Sequence, residues 1–160
     1  MSKESPGTNT IITDASCFIL LNKIEGLTVL EQLYGQVFTT PEIAAEYGKR
    51  LPQWVIVQAV SNRDLLYIYA ETVDIGEASA IALAAEVTSP LLILDDLKAR
   101  KLAEQLHIEF TGTLGILIEA KQKGIITSLS PYFEKIKQTD FRIPANFLKI
   151  LLDKYEKLAD

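Results

Sequence analysis

The chain has little of what several common chemistries need. Its 160 residues hold one cysteine, Cys17, and one histidine, His107. A single cysteine excludes an internal disulfide and fits a reducing compartment. Placed ahead of apolar residues, Cys17 reads as a buried structural thiol. One cysteine with one histidine does not build a structural zinc site. His107 opens a strand expected over His107–Phe110 and reads as structural or solvent-facing, so a Ser-His-Asp mechanism is not expected. Positive charge is short as well: Lys and Arg number 16 against 21 Asp and Glu, giving a net charge of −5 and a pI near 5.0. Such a chain has no general attraction for nucleic acid, so any such binding needs a local basic patch or a metal. No apolar run approaches the ~18 residues needed to span a bilayer. Residues 1–9 are polar, and the apolar stretch behind them is interrupted by Asp14. Neither a membrane span nor a secretory leader is expected, and the expected location is cytoplasmic.

What is present argues for one compact domain. Hydrophobic residues make up 48% of the chain, enough for a sizeable core at this length. Short β-branched or apolar stretches alternate with helical patterns. Strands are expected at Thr10–Thr13, Val37–Thr39, Val55–Val60, Leu91–Leu94 and His107–Phe110. Helices are expected at Ala15–Lys23, around Leu27–Leu33, from Pro41 behind a Thr40 N-cap, from Leu97 to Leu106, and over Leu114–Lys123. Residues 62–70 fit helix or strand equally. The stretch Asp74–Glu104 organises the rest: an Ala-rich helix opened by Gly76 and Glu77, a break at Ser89-Pro90, four apolar residues in a row, then two adjacent acids and another helix. Alternation of this kind predicts an α/β domain with a mostly parallel sheet. Helices starting at Ser130 and Pro144, the last running to about Leu158, form a C-terminal extension.

In parallel sheets the ligand site lies at the carboxyl ends of the strands, and there the acids collect. Asp14 ends the first strand and Asp95 and Asp96 end the fourth. Glu46 lies one turn into the helix after the second strand, and Glu77 opens the Ala-rich helix. Adjacent carboxylates repel, and burial raises the cost; a cation resolves the conflict. Mg²⁺ and Mn²⁺ suit an all-oxygen donor set, and a metal so held can activate water and clamp phosphoryl oxygens. Each acid also has a plainer use. Asp14 suits an N-cap. Glu42, Glu46 and Glu77 suit a solvated face or a first helical turn. Of the pair, one is expected to cap the helix from Leu97, with Asp96 the expected closer ligand.

The segments IITDASCFILL, FTTPEIAAEYG, PQWVIVQAV, DIGEASAIALA, LLILDDLKARKLAEQL and TGTLGILIEAKQKGII together resemble the PIN-domain superfamily, in particular its VapC-like ribonuclease toxins with an extended C-terminus. The resemblance implies a PIN-like three-layer α/β/α fold with extra C-terminal helices. The expected boundaries are a flexible terminus at residues 1–9, a PIN-like domain at 10–128, and a helical extension at 129–160 packed on the same domain. It implies that Asp14, Glu46, Glu77 and Asp96, with Asp95, bind Mg²⁺ or Mn²⁺ and cleave RNA by activated water, with Ser16 supporting the site. It also implies an antitoxin protein as partner. Glu77 stands where many relatives carry aspartate.

Lys98, Arg100 and Lys101, after the acid pair, are candidate RNA contacts, as is Thr113 in the Gly-rich entry to a helix. Each also suits a solvated face or a tight turn. Tyr132, Phe133, Phe141, Phe147 and Tyr155 are expected to pack a core or a dimer face rather than stack on bases. The apolar surplus from Phe141 to Leu152 predicts a symmetric homodimer. A non-catalytic PIN-like module that binds RNA or protein is the alternative. A phosphotransfer receiver fits less well, because no lysine follows a late strand.

Overall fold

Strand β1 (Thr10–Thr13) shows how the sheet is enclosed. Its last three residues, Ile11, Ile12 and Thr13, are all buried. Successive strand residues point to opposite faces, so both faces of the sheet are covered and the architecture is a three-layer α/β/α domain. Leu92 and Ile93 of β4 (Pro90–Ile93) repeat the pattern. With β2 (Val37–Thr39), β3 (Val55–Val57) and β5 (Glu109–Thr111) they form a five-stranded sheet in the order β3-β2-β1-β4-β5, parallel throughout. This computed structural model describes residues 9–156.

The chain order reverses between the central strand, β1, and its neighbour β4. Their register pairs Thr10 with Pro90 and Thr13 with Ile93. The residues that follow, Asp14 and Leu94-Asp95, therefore leave the sheet side by side at its carboxyl edge. A topological switch point of this kind opens a crevice where ligands bind in parallel α/β sheets.

The helices are α1 (Ala15–Lys23), α2 (Thr28–Tyr34), α3 (Pro41–Tyr47), α4 (Arg63–Tyr69), α5 (Ile75–Ala84), α6 (Leu97–Gln105), α7 (Thr113–Gln122), α8 (Ser130–Lys137) and α9 (Ala145–Tyr155). Alanine gives α5 a narrow waist, and every residue from Ala78 to Ala84 is buried. It lies against β1 and β4, with α3 and α4 packed on it. Helices α2 and α7 pack together, and α9 lies on both α7 and α8. Phe133 and Ile136 of α8 and Leu148 of α9 enter the same core as the sheet.

Several elements depart from the sequence expectations. The sheet is wholly rather than mostly parallel, and β3 stops at Val57 instead of Val60. Residues 63–69, ambiguous in sequence, are helical, capped by the Asn62 side chain, which accepts from the Leu65 N–H. Helix α5 starts at Ile75, one residue before Gly76, with Asp74 as N-cap, and ends at Ala84. The fifth strand begins at Glu109, because His107 takes a left-handed backbone (φ 60°) that ends the turn after α6. The His107 side chain is exposed. Helix α6 ends at Gln105 with Leu106 as its C-cap, 36% exposed, and Ala99 and Ala103 are the helix's buried residues. Of the terminus expected to be flexible over residues 1–9, only Asn9 is described, and its side-chain amide donates to the Ser89 carbonyl. Leu158 also lies outside the described residues.

Candidate active site

Asp14 caps α1. Its Oδ1 accepts from the Cys17 N–H at 3.0 Å, while its Oδ2 is buried with no hydrogen-bond partner. The residue is 1% exposed. A buried polar atom without a partner is rare and costly. Burial first, then the Asp95 carboxylate and more weakly Glu77, hold the Asp14 carboxyl well above the usual range, against a smaller opposing pull from the Cys17 N–H. Cys17 is fully buried beneath, its thiol pushed up by burial and then by Asp95 and Asp14.

Asp95 and Asp96 divide their work. Both oxygens of Asp95 are held by Thr113, whose N–H donates to Oδ1 at 2.9 Å and whose hydroxyl donates to Oδ2 at 2.6 Å. This aims Asp95 across the sheet edge toward Asp14. Asp96 is the N-cap of α6, accepting from the Ala99 N–H at 3.0 Å through Oδ2. It faces Glu77 instead. The two share a cleft of about 400 Å³ whose lining includes Asp74 and Lys98.

Glu77 links the two groups. Burial first, then Asp96 and Asp74, push its carboxyl up to about 7, with a smaller contribution from Glu46. Glu46 is raised by partial burial and then by Asp74. The two helices that carry these glutamates are tied together in the core. Thr40, the N-cap of α3, meets Ser79 of α5 at 2.6 Å, and the Ser79 hydroxyl donates to the Gly76 carbonyl at 2.6 Å. Gly76 leaves room for the Glu46 carboxylate: a side chain there would stand 2.6 Å from Glu46 Oε1. Glu42, four residues earlier, is taken by Arg63 at 3.0 Å.

The five predicted acids thus fall into a deep pair, Asp14 and Asp95, and a rim of Glu46, Glu77 and Asp96, joined by the field of Glu77. Among the described residues, no three His, Cys, Asp or Glu side chains come close enough together to hold a metal ion directly. A cation shared by these acids would therefore be shared through its waters. The donor chemistry still fits a hard cation that keeps its waters, and the unpartnered Asp14 Oδ2 is an available oxygen. Asp74 is the acid that the sequence reading passed over. Its signal was present, an acid three residues before Glu77 at a helix start.

The candidate RNA contacts scatter. Lys98 lines the acid cleft, and with Lys101 it borders a second depression beside Thr72. Arg100 turns the other way: its Nε donates to the Leu94 carbonyl at 2.7 Å, and its guanidinium lies over the Phe110 ring. Thr113 is fully buried and serves Asp95, so it is not available as an RNA contact here. Ser16 is half-buried in the first turn of α1.

An all-parallel sheet with carboxylates at its switch point defines a class of α/β domain suited to divalent-cation chemistry. The chain belongs to the PIN-domain family: the profile of DUF3368, described as a PIN domain, matches residues 10–157. The match runs through α8 and α9, so the C-terminal helices lie inside the family's own span. PIN domains are generally nucleases, typically use divalent metals and generally bind RNA. No curated protein matches the sequence. No helix of the described residues is long and apolar enough to cross a membrane.

Proposed function

We propose that this protein is a metal-dependent endoribonuclease that hydrolyses RNA phosphodiesters, and that it is the toxin of a toxin–antitoxin pair like the VapC-like proteins it resembles. The observation that carries the nuclease reading is Asp14: a carboxylate buried at the switch point, beside a second carboxylate, with one oxygen left without a partner. Family membership supports the reaction class. The toxin assignment is supported by the resemblance of the motifs.

In this reading Asp14 and Asp95, with Glu46, Glu77 and Asp96 beside them, would hold Mg²⁺ or Mn²⁺. Such a cation supplies Lewis acidity toward water and toward the phosphoryl oxygens when bound. Thr113 fixes Asp95 through two hydrogen bonds, so the deep pair is arranged before anything binds. The raised carboxyls of Asp14 and Glu77 make protons and the cation compete for the same oxygens. Lys98, beside Glu77 and Asp96, is placed to meet a substrate phosphate. A cytoplasmic location goes with an RNA substrate.

The proposed partners besides RNA are an antitoxin protein and a second copy of the chain. Support for the homodimer is narrower than the sequence suggested. Leu148 is buried, and Phe141, Ile143, Leu151 and Leu152 are half-buried, which leaves Phe147 and Ile150 as the exposed apolar residues of α9.

The test is cleavage of a mixed RNA pool with Mn²⁺, with EDTA, and by the Asp14→Asn variant. Cleavage confined to the wild type with Mn²⁺ is expected. Activity that survives both EDTA and the substitution would defeat this reading. The second reading, a non-catalytic PIN-like module, is favoured by one observation, the lack of three converging ligands among the described residues. It would be preferred if the wild type bound metal and cleaved nothing.

A further inference from the structure

A groove of about 570 Å³ opens beside the acid edge, bordered by α6, β5, α7 and the segment that joins α8 to α9. Asp95 contributes to its lining, so the groove is continuous with the carboxylates. Its walls are mostly apolar, with Phe110, Leu114, Phe141 and Phe147 prominent, and two guanidinium groups border it, Arg100 and Arg142. Neither arginine is ion-paired among the described residues.

Arg100 is held in place. Its Nε–H···O bond to Leu94 fixes one end, and the guanidinium lies 5.4 Å from the centre of the Phe110 ring. Gly112 makes this possible, because a side chain there would collide with the Arg100 guanidinium and crowd Asp95. Leu97 is 79% exposed and lines both the groove and the Glu77–Asp96 cleft. A large apolar side chain thus stands bare on the ridge between an acidic cleft and an arginine-bordered aromatic groove.

We propose that this groove is the subsite for one unpaired nucleotide of the RNA next to the bond that is cut. Its base lies against Phe147 and the other apolar walls, and its phosphate lies on Arg142 and Arg100. Charge complementarity selects the occupant: two arginines without an ion pair among the described residues, in a chain of net charge −5, call for an anion, and aromatic and guanidinium faces suit flat bases. Leu97 turns the strand between cleft and groove, and a base held in a duplex cannot follow that turn. The inference rests on the nuclease reading for where the strand is cut and extends it to how the strand is gripped.

The test is binding of a fluorescently labelled ten-nucleotide RNA, single-stranded and as a duplex, to the full chain in EDTA, followed by cleavage of the same RNA with Mn²⁺. Phe147→Ala and Arg142→Ala should each weaken single-strand binding about ten-fold, Phe147→Trp should retain it, and the thermal midpoint should not move. The duplex should bind more weakly than the single strand. Unchanged binding in both alanine variants overturns the groove and leaves the nuclease reading intact if cleavage persists. Binding that depends on Phe147 with no metal-dependent cleavage supports the groove and defeats the nuclease reading. A wild-type dimer that Phe147→Ala dissolves, with RNA binding unaffected, gives the groove to a second copy and overturns the proposal.

Discussion

At the end of β1 the Asp14 carboxylate is buried with an oxygen that nothing satisfies. At the end of α9 the Glu156 carboxylate meets four donors: the Leu129 and Ser130 N–H groups at 2.7 and 3.1 Å, and the Ser128 and Ser130 hydroxyls at 2.5 and 2.9 Å. Helix α8 has no side-chain cap of its own, so Glu156 caps it from the far end of the next helix. Burial alone would raise the Glu156 carboxyl, but these hydrogen bonds outweigh it and bring the group down to about 2. Asp14 is displaced the opposite way. One chain therefore satisfies a carboxylate fully where it closes the fold and leaves one exposed to repulsion where the strands end. An unsatisfied acid in a protein able to satisfy one elsewhere supports the cation site proposed at Asp14.

The contrast breaks most visibly at Asp14. Asp14→Asn keeps the shape and the bond from Cys17 but removes the charge. It should lower metal-dependent RNA cleavage by about a hundred-fold or more. It should also raise the melting temperature in EDTA, because repulsion with Asp95 and Glu77 is relieved. A variant that cleaves normally, or melts lower than wild type, would remove Asp14 from its assigned role. Glu156→Ala should do the reverse. It leaves the donors at the start of α8 without their acceptor and should cost about 1–2 kcal/mol in denaturant unfolding, with cleavage per folded molecule unchanged.

The same pair sets opposite pH dependences. Glu77 is raised from 4.5 to about 7, so its contribution to stability is complete below about pH 4.5 and is lost as pH rises through about 7. Glu156 is lowered from 4.5 to about 2, so its contribution is present above about pH 4.5 and is lost as pH falls through about 2. Melting in EDTA should therefore show a decline between about pH 4.5 and 7 that Glu77→Gln reduces and added Mn²⁺ offsets. Melting below pH 4.5 should show a separate decline that Glu156→Gln flattens. The smallest effect expected is at Lys101, which lies away from the Glu77–Asp96 cleft. Lys101→Ala should weaken RNA binding about two-fold or less, in line with one exposed phosphate contact.

Much of the acid edge was legible because parallel strands deliver their following residues to one side, so Asp14 and Asp95-Asp96 could be placed from strand patterns alone. The Thr40 N-cap, with Pro41 at the first helical position, also read correctly, because helix-start signals are local. What was not legible depended on partners far away in sequence. Nothing beside Asp95 announces that Thr113 will hold both its oxygens, and nothing beside Asp96 shows that it will turn to Glu77. Asp74 was hidden by its ordinary position at a helix start. His107 misled because a left-handed backbone is uncommon for any residue but glycine, and no glycine stands there to mark the turn. The groove was unreadable because Arg100, Phe110, Arg142 and Phe147 come from separate elements.

The pairing of Thr10 with Pro90 and Thr13 with Ile93 has a temporal consequence. The β1–β4 contact closes one of the longest loops in the sheet, and contacts so distant in sequence form late in folding. Asp14 leaves the ribosome early, yet it gains its neighbour Asp95 only after β4 has been made, and Asp95 gains its Thr113 clamp later still. A growing chain therefore carries its acids as separate, harmless side chains until most of the domain has been synthesised. Under the nuclease reading proposed above, the chain would be inert while still attached to its own message.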